Sequence, residues 1–168
     1  MATPSHTTPE QLQRYYANMP EDGRYCGRCD LPLPQDLVGK RVVDAGCRRG
    51  KGVCKIADRV GTSGWVMGVD PVAQRVEAAR AYVEEQGTRA TNWPEIEFAC
   101  APFEDLQAAG LGDETADVVV VNNVLNVAGD YNQALREIAR VLAPGGMLFH
   151  AGVFAEAPLA EDEMRTFA

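Results

Sequence analysis

The stretch Val42-Val43-Asp44-Ala45-Gly46-Cys47-Arg48-Arg49-Gly50-Lys51-Gly52 constrains this chain more than any other. A short apolar run ends in an acid and breaks into a glycine-containing turn. Val53, Ile56, Ala57 and Val60 then follow at helical spacing. A strand, a tight turn and a helix amino end together form a crevice where free backbone amides face a nucleotide-like ligand. A ribose-binding acid is expected to end the next strand, about 20 residues further on. Asp70, closing Trp65-Val66-Met67-Gly68-Val69-Asp70, fills that slot. The turn by itself also suits an α/β domain without a ligand, because glycine-rich turns serve packing too.

From Lys40 onward the pattern alternates strand and helix. Strands are expected at 41–44, 65–70, 96–100, 117–121 and 147–154. Helices are expected at 51–60, 72–86 and 132–142, with a short one near 103–109. The helix at 72–86 carries Val76, Ala79, Tyr82 and Val83 on its inward face. The run Asp117–Val121 is continuously apolar after its first residue, as in a central strand buried on both faces. Upstream, Thr8-Pro9-Glu10-Gln11 has the form of a capping box with proline in the first turn. Such alternation predicts an α/β fold: a doubly wound, mostly parallel sheet of about five strands with right-handed crossovers. Three segments are expected: 1–39 as amino-terminal helix and cover, 40–155 as the core, and 156–168 as an acidic tail. Ligands of such a sheet lie beyond the strand carboxyl ends. The unusual stretches at 44–52, 70–71, 101–105 and 122–126 all map there.

Charge and cysteine usage narrow the function classes. A formal net charge of -8 disfavours nucleic acid or an anionic membrane as the main partner. No apolar run approaches the roughly 20 residues of a membrane span. The amino terminus lacks a basic region followed by an apolar stretch, so no signal peptide is expected. Five cysteines are an odd number and form no small secreted framework, which favours a cytoplasmic protein with reduced thiols. Cys26-Gly27-Arg28-Cys29 is a single pair, and His6 and His150 lack ligand spacing, so no metal site is expected.

Residues 38–155 resemble a class I S-adenosylmethionine-dependent methyltransferase, and within that superfamily the arsenite methyltransferases. The resemblance rests on Leu31-Pro32-Leu33-Pro34, the run from Val42 to Gly50, and Gly68-Val69-Asp70. It continues through Phe103-Glu104-Asp105-Leu106 and the stretch Asp117–Asn126, and closes with Leu135–Gly146. It implies a small-molecule acceptor and S-adenosylmethionine as cofactor. By the same resemblance, Asp44, Gly46 and Gly50 would shape the pocket for the methionyl part. Asp70 would accept from the ribose hydroxyls, Phe103 and Glu104 would border the adenine, and Asn122 would face the sulfonium. Cys29 would match one acceptor thiol of the family.

Several features depart from the pattern. The family's middle glycine is Arg48, and a thiol expected after the fourth strand falls at Asn123. The final antiparallel strand pair is missing, which leaves the fifth strand as an open edge. Either the chain is a fragment, or a homodimer partner or another subunit covers that edge. These departures keep open a second expectation: a shortened relative that binds or regulates without catalysing. A nicotinamide-dependent Rossmann enzyme is the third, and the acid placed before the first glycine disfavours it.

Overall fold

The computed structural model describes residues 8–18 and 33–152. Helix α1, Pro9–Ala17, begins as its sequence dictates. Thr8 Oγ1 accepts from the Gln11 amide at 3.3 Å, and the Gln11 side chain returns to the Thr8 amide at 2.7 Å.

Strands β1 (Arg41–Ala45), β2 (Trp65–Asp70), β3 (Glu95–Cys100), β4 (Ala116–Asn122) and β5 (Leu142–Ala151) form one parallel sheet in the order β3-β2-β1-β4-β5. Helix α2 (Lys51–Val60) links β1 to β2, α3 (Ala73–Gly87) links β2 to β3, and α4 (Tyr131–Val141) links β4 to β5. The expected α/β architecture is therefore the observed one.

Successive residues of a strand point to opposite faces, so the valine runs build two cores at once. Val42, Val66, Val118 and Val120 pack with Val53, Ile56 and Val60 of α2 and Val76, Ala79 and Val83 of α3. Val43, Val69, Val119 and Val121 pack with Ala134, Ile138 and Val141 of α4, and with Leu12 and Tyr16 of α1. Full burial of such an apolar side chain contributes about 1.5–3 kcal/mol, so the sheet centre is the most firmly held part of the molecule.

Two details differ from the sequence expectation. Tyr82 is only half-buried, and the fourth inward residue of α3 is Arg75. Strand β5 begins at Leu142, not Met147. Ala116 pairs with Leu142 and Val118 with Met147, so Ala143-Pro144-Gly145-Gly146 forms a bulge within the ladder. Proline lacks an amide hydrogen and Gly145 takes φ +78°, which suits both to a bulge. Among the described residues β5 is a sheet edge, and its Met147 is half-exposed.

Candidate functional site

The register fixes which residues meet at the carboxyl edge. Asp44 of β1 pairs with Gly68 of β2 and Val120 of β4. Two residues on, Gly46 is therefore level with Asp70 on one side and Asn122 on the other. One acid, one glycine turn and one carboxamide thus share the end of three adjacent strands.

The turn is fitted closely. Gly46 has φ +97°, and a Cβ there would lie 2.5 Å from Val124 Cγ2. Its amide donates to the Val69 carbonyl at 2.7 Å, and the Cys47 amide reaches the same oxygen at 3.1 Å. Gly50 caps α2 at φ +81°, where a Cβ would meet the Ala79 carbonyl of α3 at 3.0 Å. Arg48 also takes a left-handed conformation, φ +49°, in which a side chain is strained. That bend turns the Arg48 amide onto Asp70 Oδ2 at 3.1 Å.

Asp70 is 1% exposed. Its Oδ1 accepts from the Val72 amide at 3.0 Å and lies 3.8 Å from Arg75 Nη1. Burial pushes its carboxyl upward, opposed by the Val72 amide, the Arg75 charge and Arg48. Each oxygen has one backbone donor and keeps a further lone pair for a ligand. Asp44 is buried, and burial together with the Asp70 charge pushes it up to about 7. The Cys47 thiol between them is raised by burial and by both acids, so it is a neutral packing group.

Phe103 and Glu104 lie under α1. Tyr16 Oη donates to Glu104 at 3.0 Å, and its ring meets Phe103 edge-on with centroids 5.9 Å apart. The Asp130 amide adds a bond to Glu104 Oε1 at 2.8 Å. Burial and the Glu104 charge raise the Tyr16 hydroxyl, which keeps it a donor. Tyr15 Oη reaches the Val127 carbonyl at 3.0 Å, giving α1 a second tie to the loop after β4.

Asn122 Oδ1 is buried and, among the described residues, is the one buried side-chain polar atom without a hydrogen-bond partner. An orphaned acceptor of this kind costs about 1–3 kcal/mol and calls for an explanation. Asn123 follows at φ +61°, a conformation asparagine tolerates better than most residues, and its amide donates to Ala151 at 2.7 Å. His150 is half-buried, and burial lowers its pKa. Cys29 and its neighbour Cys26 lie outside the described residues.

The structure thus brings Asp44, Gly46, Gly50, Asp70 and Asn122 to the carboxyl edge of the sheet and the turn beside it, with Phe103 and Glu104 under α1. Two features escaped the sequence reading: the Arg75 contact with Asp70, and the Tyr16–Glu104 pair. The one available signal for the first was a cation in the opening turn of the helix that follows Asp70.

This fold and site define a methyltransferase domain: residues 43–150 match the family of that description, and the chain belongs to it. Among its relatives it is similar to the arsenite methyltransferase of Rattus norvegicus, 32% identical over 95% of this chain and 44% of the relative. The arsenite methyltransferase of Aquipseudomonas alcaligenes is 35% identical over 96% of this chain and 43% of the relative. The crystal structure of an arsenic(III) S-adenosylmethionine methyltransferase from Chlamydomonas reinhardtii superposes with a TM-score of 0.63 at 32% identity. That match covers 82% of this chain and 46% of the other. The chain thus spans less than half the length of these relatives.

S-adenosylmethionine is the cofactor that this family and fold imply. The residues present suit it. The edge is rich in acceptors, which favours a ligand carrying an ammonium, a sulfonium and ribose hydroxyls. The unpartnered Asn122 oxygen offers a carbonyl dipole to a cation, and Gly46 leaves the turn without a side chain.

Proposed function

We propose that this chain is the cofactor-binding core of a methyltransferase that uses S-adenosylmethionine to methylate a small acceptor with a soft or thiol-linked nucleophile, arsenite among them. The observation that carries this reading is the buried, unpartnered Asn122 oxygen at the same level as Asp70. When bound, S-adenosylmethionine supplies an electrophilic methyl carbon. Asp70 would accept from the ribose, Asp44 with the turn of Gly46 and Gly50 would receive the ammonium of the amino-acid tail, and Asn122 would face the sulfonium. Phe103 and Glu104 would border the base, and α1 would shield it from water. The protein's contribution is chiefly alignment of donor and acceptor, since an in-line displacement gains most from positioning. Cys29 is a candidate acceptor thiol, because trivalent arsenic binds sulfur as soft metals do. The setting we favour is cytoplasmic, with a second copy or another subunit on the β5 edge. Among the described residues no helix is long and apolar enough to cross a membrane.

Calorimetry with S-adenosylhomocysteine tests the core of this reading. Binding heat with thermal stabilisation is expected, and the absence of both overturns it. A second reading, a non-catalytic binding relative, is favoured by Arg48 in a strained turn and by Asn123 where the resembling family has a thiol. Methylated product from purified protein with arsenite and thiol eliminates that reading.

A further inference from the structure

We propose that Arg75 is a positioning residue, which holds Asp70 ionised and aimed at the ribose hydroxyls of the cofactor. The inference rests on the cofactor reading above and adds a residue to it.

Arg75 is a charged residue on the inward face of α3, with a side chain only 7% exposed. Taking a guanidinium out of water costs several kcal/mol unless a partner compensates. Among the described residues, Asp70, also buried, is an acidic partner at 3.8 Å. That distance exceeds a direct hydrogen bond, so the link is mainly charge to charge. It leaves acceptor capacity on Asp70 that a tight bidentate pair would consume. Two backbone amides, of Val72 and Arg48, set the carboxylate's direction. The arginine supplies the charge that keeps it an anion inside the protein.

The surroundings make that support necessary. Burial is the main force against the Asp70 charge; Asp44 on β1 is a second buried acid, itself pushed up by Asp70, and Cys47 in the turn is neutral. Cys100, which closes β3 opposite Asp70, is a thiol with a raised pKa. The opposing cations are Arg75 on α3 and Arg48 in the turn. Arg75 also lines a cavity of about 210 Å³ with Arg49, Gln74 and Ala78. A shorter side chain at 75 therefore enlarges existing space and leaves the two apolar cores untouched.

The test uses Arg75→Met, Arg75→Lys, Asp70→Asn and the Asp70→Asn/Arg75→Met double variant. S-adenosylhomocysteine affinity is measured by calorimetry from about pH 5.5 to about pH 8.5, and urea stability of the ligand-free proteins is measured over the same range. Affinity is read as the ratio of variant to native protein at each pH, so that titration of Asp44 cancels. Without Arg75 the Asp70 proton leaves only at higher pH. Arg75→Met is expected to weaken binding most at the acid end of the range, by at most about tenfold for each unit that the Asp70 pKa rises. The deficit shrinks toward high pH, and Arg75→Lys restores most of the affinity. In the ligand-free proteins the cost of Arg75→Met grows with pH and loses that trend in the Asp70→Asn background. Equal affinity ratios at every pH, or a ligand-free cost that ignores Asp70, overturn the proposal. If the native protein binds no S-adenosylhomocysteine, the cofactor reading fails, and the ligand-free cycle still decides whether Arg75 holds Asp70 ionised.

Discussion

Replacing Asp44 by asparagine separates what this acid costs the fold from what it gives the site. The side chain is 3% exposed, and burial with the Asp70 charge pushes it up to about 7 from the ordinary value near 3.8. The direction of the effect follows by linkage. An acid whose folded pKa lies above its unfolded one gives full stability below the unfolded value. It loses that stability progressively as pH rises to the folded value. Native protein should therefore weaken between about pH 4 and about pH 7, and stay level above that as far as this group is concerned. The shift spans about three units at about 1.4 kcal/mol each, which sets a ceiling near 4 kcal/mol.

Asparagine keeps the shape and removes the charge. Asp44→Asn is expected to exceed the native protein in stability by about 2–4 kcal/mol at about pH 8, and to match it near pH 4. For a chain of this size that is a rise on the order of 10 °C in Tm. The same variant loses a carboxylate that would meet the cofactor's cationic tail, a loss of about 1.5–3 kcal/mol in binding, or roughly 10- to 100-fold in affinity. Thermal melts across pH, paired with calorimetry against S-adenosylhomocysteine, read both effects. Parallel native and variant stability curves, or a variant weaker than native at the alkaline end, refute the argument that Asp44 carries a buried-charge cost.

Tyr16→Phe removes the phenol that bonds the buried Glu104, so a loss of about 1.5–3 kcal/mol is expected, with faster hydrogen exchange confined to α1 and the loop after β4. Gly46→Ala forces a Cβ into Val124 at φ +97°; it should cost at least about 1–3 kcal/mol of stability and abolish cofactor binding, read by denaturation and calorimetry. Arg48→Gly relieves a left-handed side-chain conformation and should raise stability by up to about 1–2 kcal/mol, while leaving the amide on Asp70; a fall in urea midpoint would contradict that.

The sheet was legible because its signals are local. The apolar run of β4, the capping box at Thr8 and Gln11, and the acid ending β2 each reside in a few adjacent residues. What escaped depends on partners distant in sequence. Tyr16 reads as a helix-packing aromatic until Glu104, 88 residues away, supplies its acceptor. Arg75 lies one turn before Ala79 on the inward face, but a pattern counted in apolar residues passes over it. The closeness of α3 to the end of β2 brings Asp70 to that charge and helps make its burial tolerable. The bulge in β5 was hidden for a different reason. Pro144-Gly145-Gly146 reads as the end of a helix, and whether a ladder resumes on both sides of it depends on β4.

These cases share one physical pattern at the carboxyl edge. The sheet places two acids, Asp44 and Asp70, where burial opposes their charge, and the chain compensates unequally. Asp70 receives two amides and an arginine, so its ionised form is supported before any ligand arrives. Asp44 receives the repulsion of its neighbour and is poised near neutrality. A cation entering the crevice would therefore gain most from Asp44, and a hydroxyl donor from Asp70. That division matches a ligand with its positive groups at one end and a ribose at the other. A neutral ligand would leave the charge of Asp44 unchanged, and an anionic one would draw a proton onto it. Proton release measured by calorimetry in buffers of different ionisation enthalpy separates the cases: binding of a cationic cofactor near neutrality should expel part of a proton from the native protein and none from Asp44→Asn.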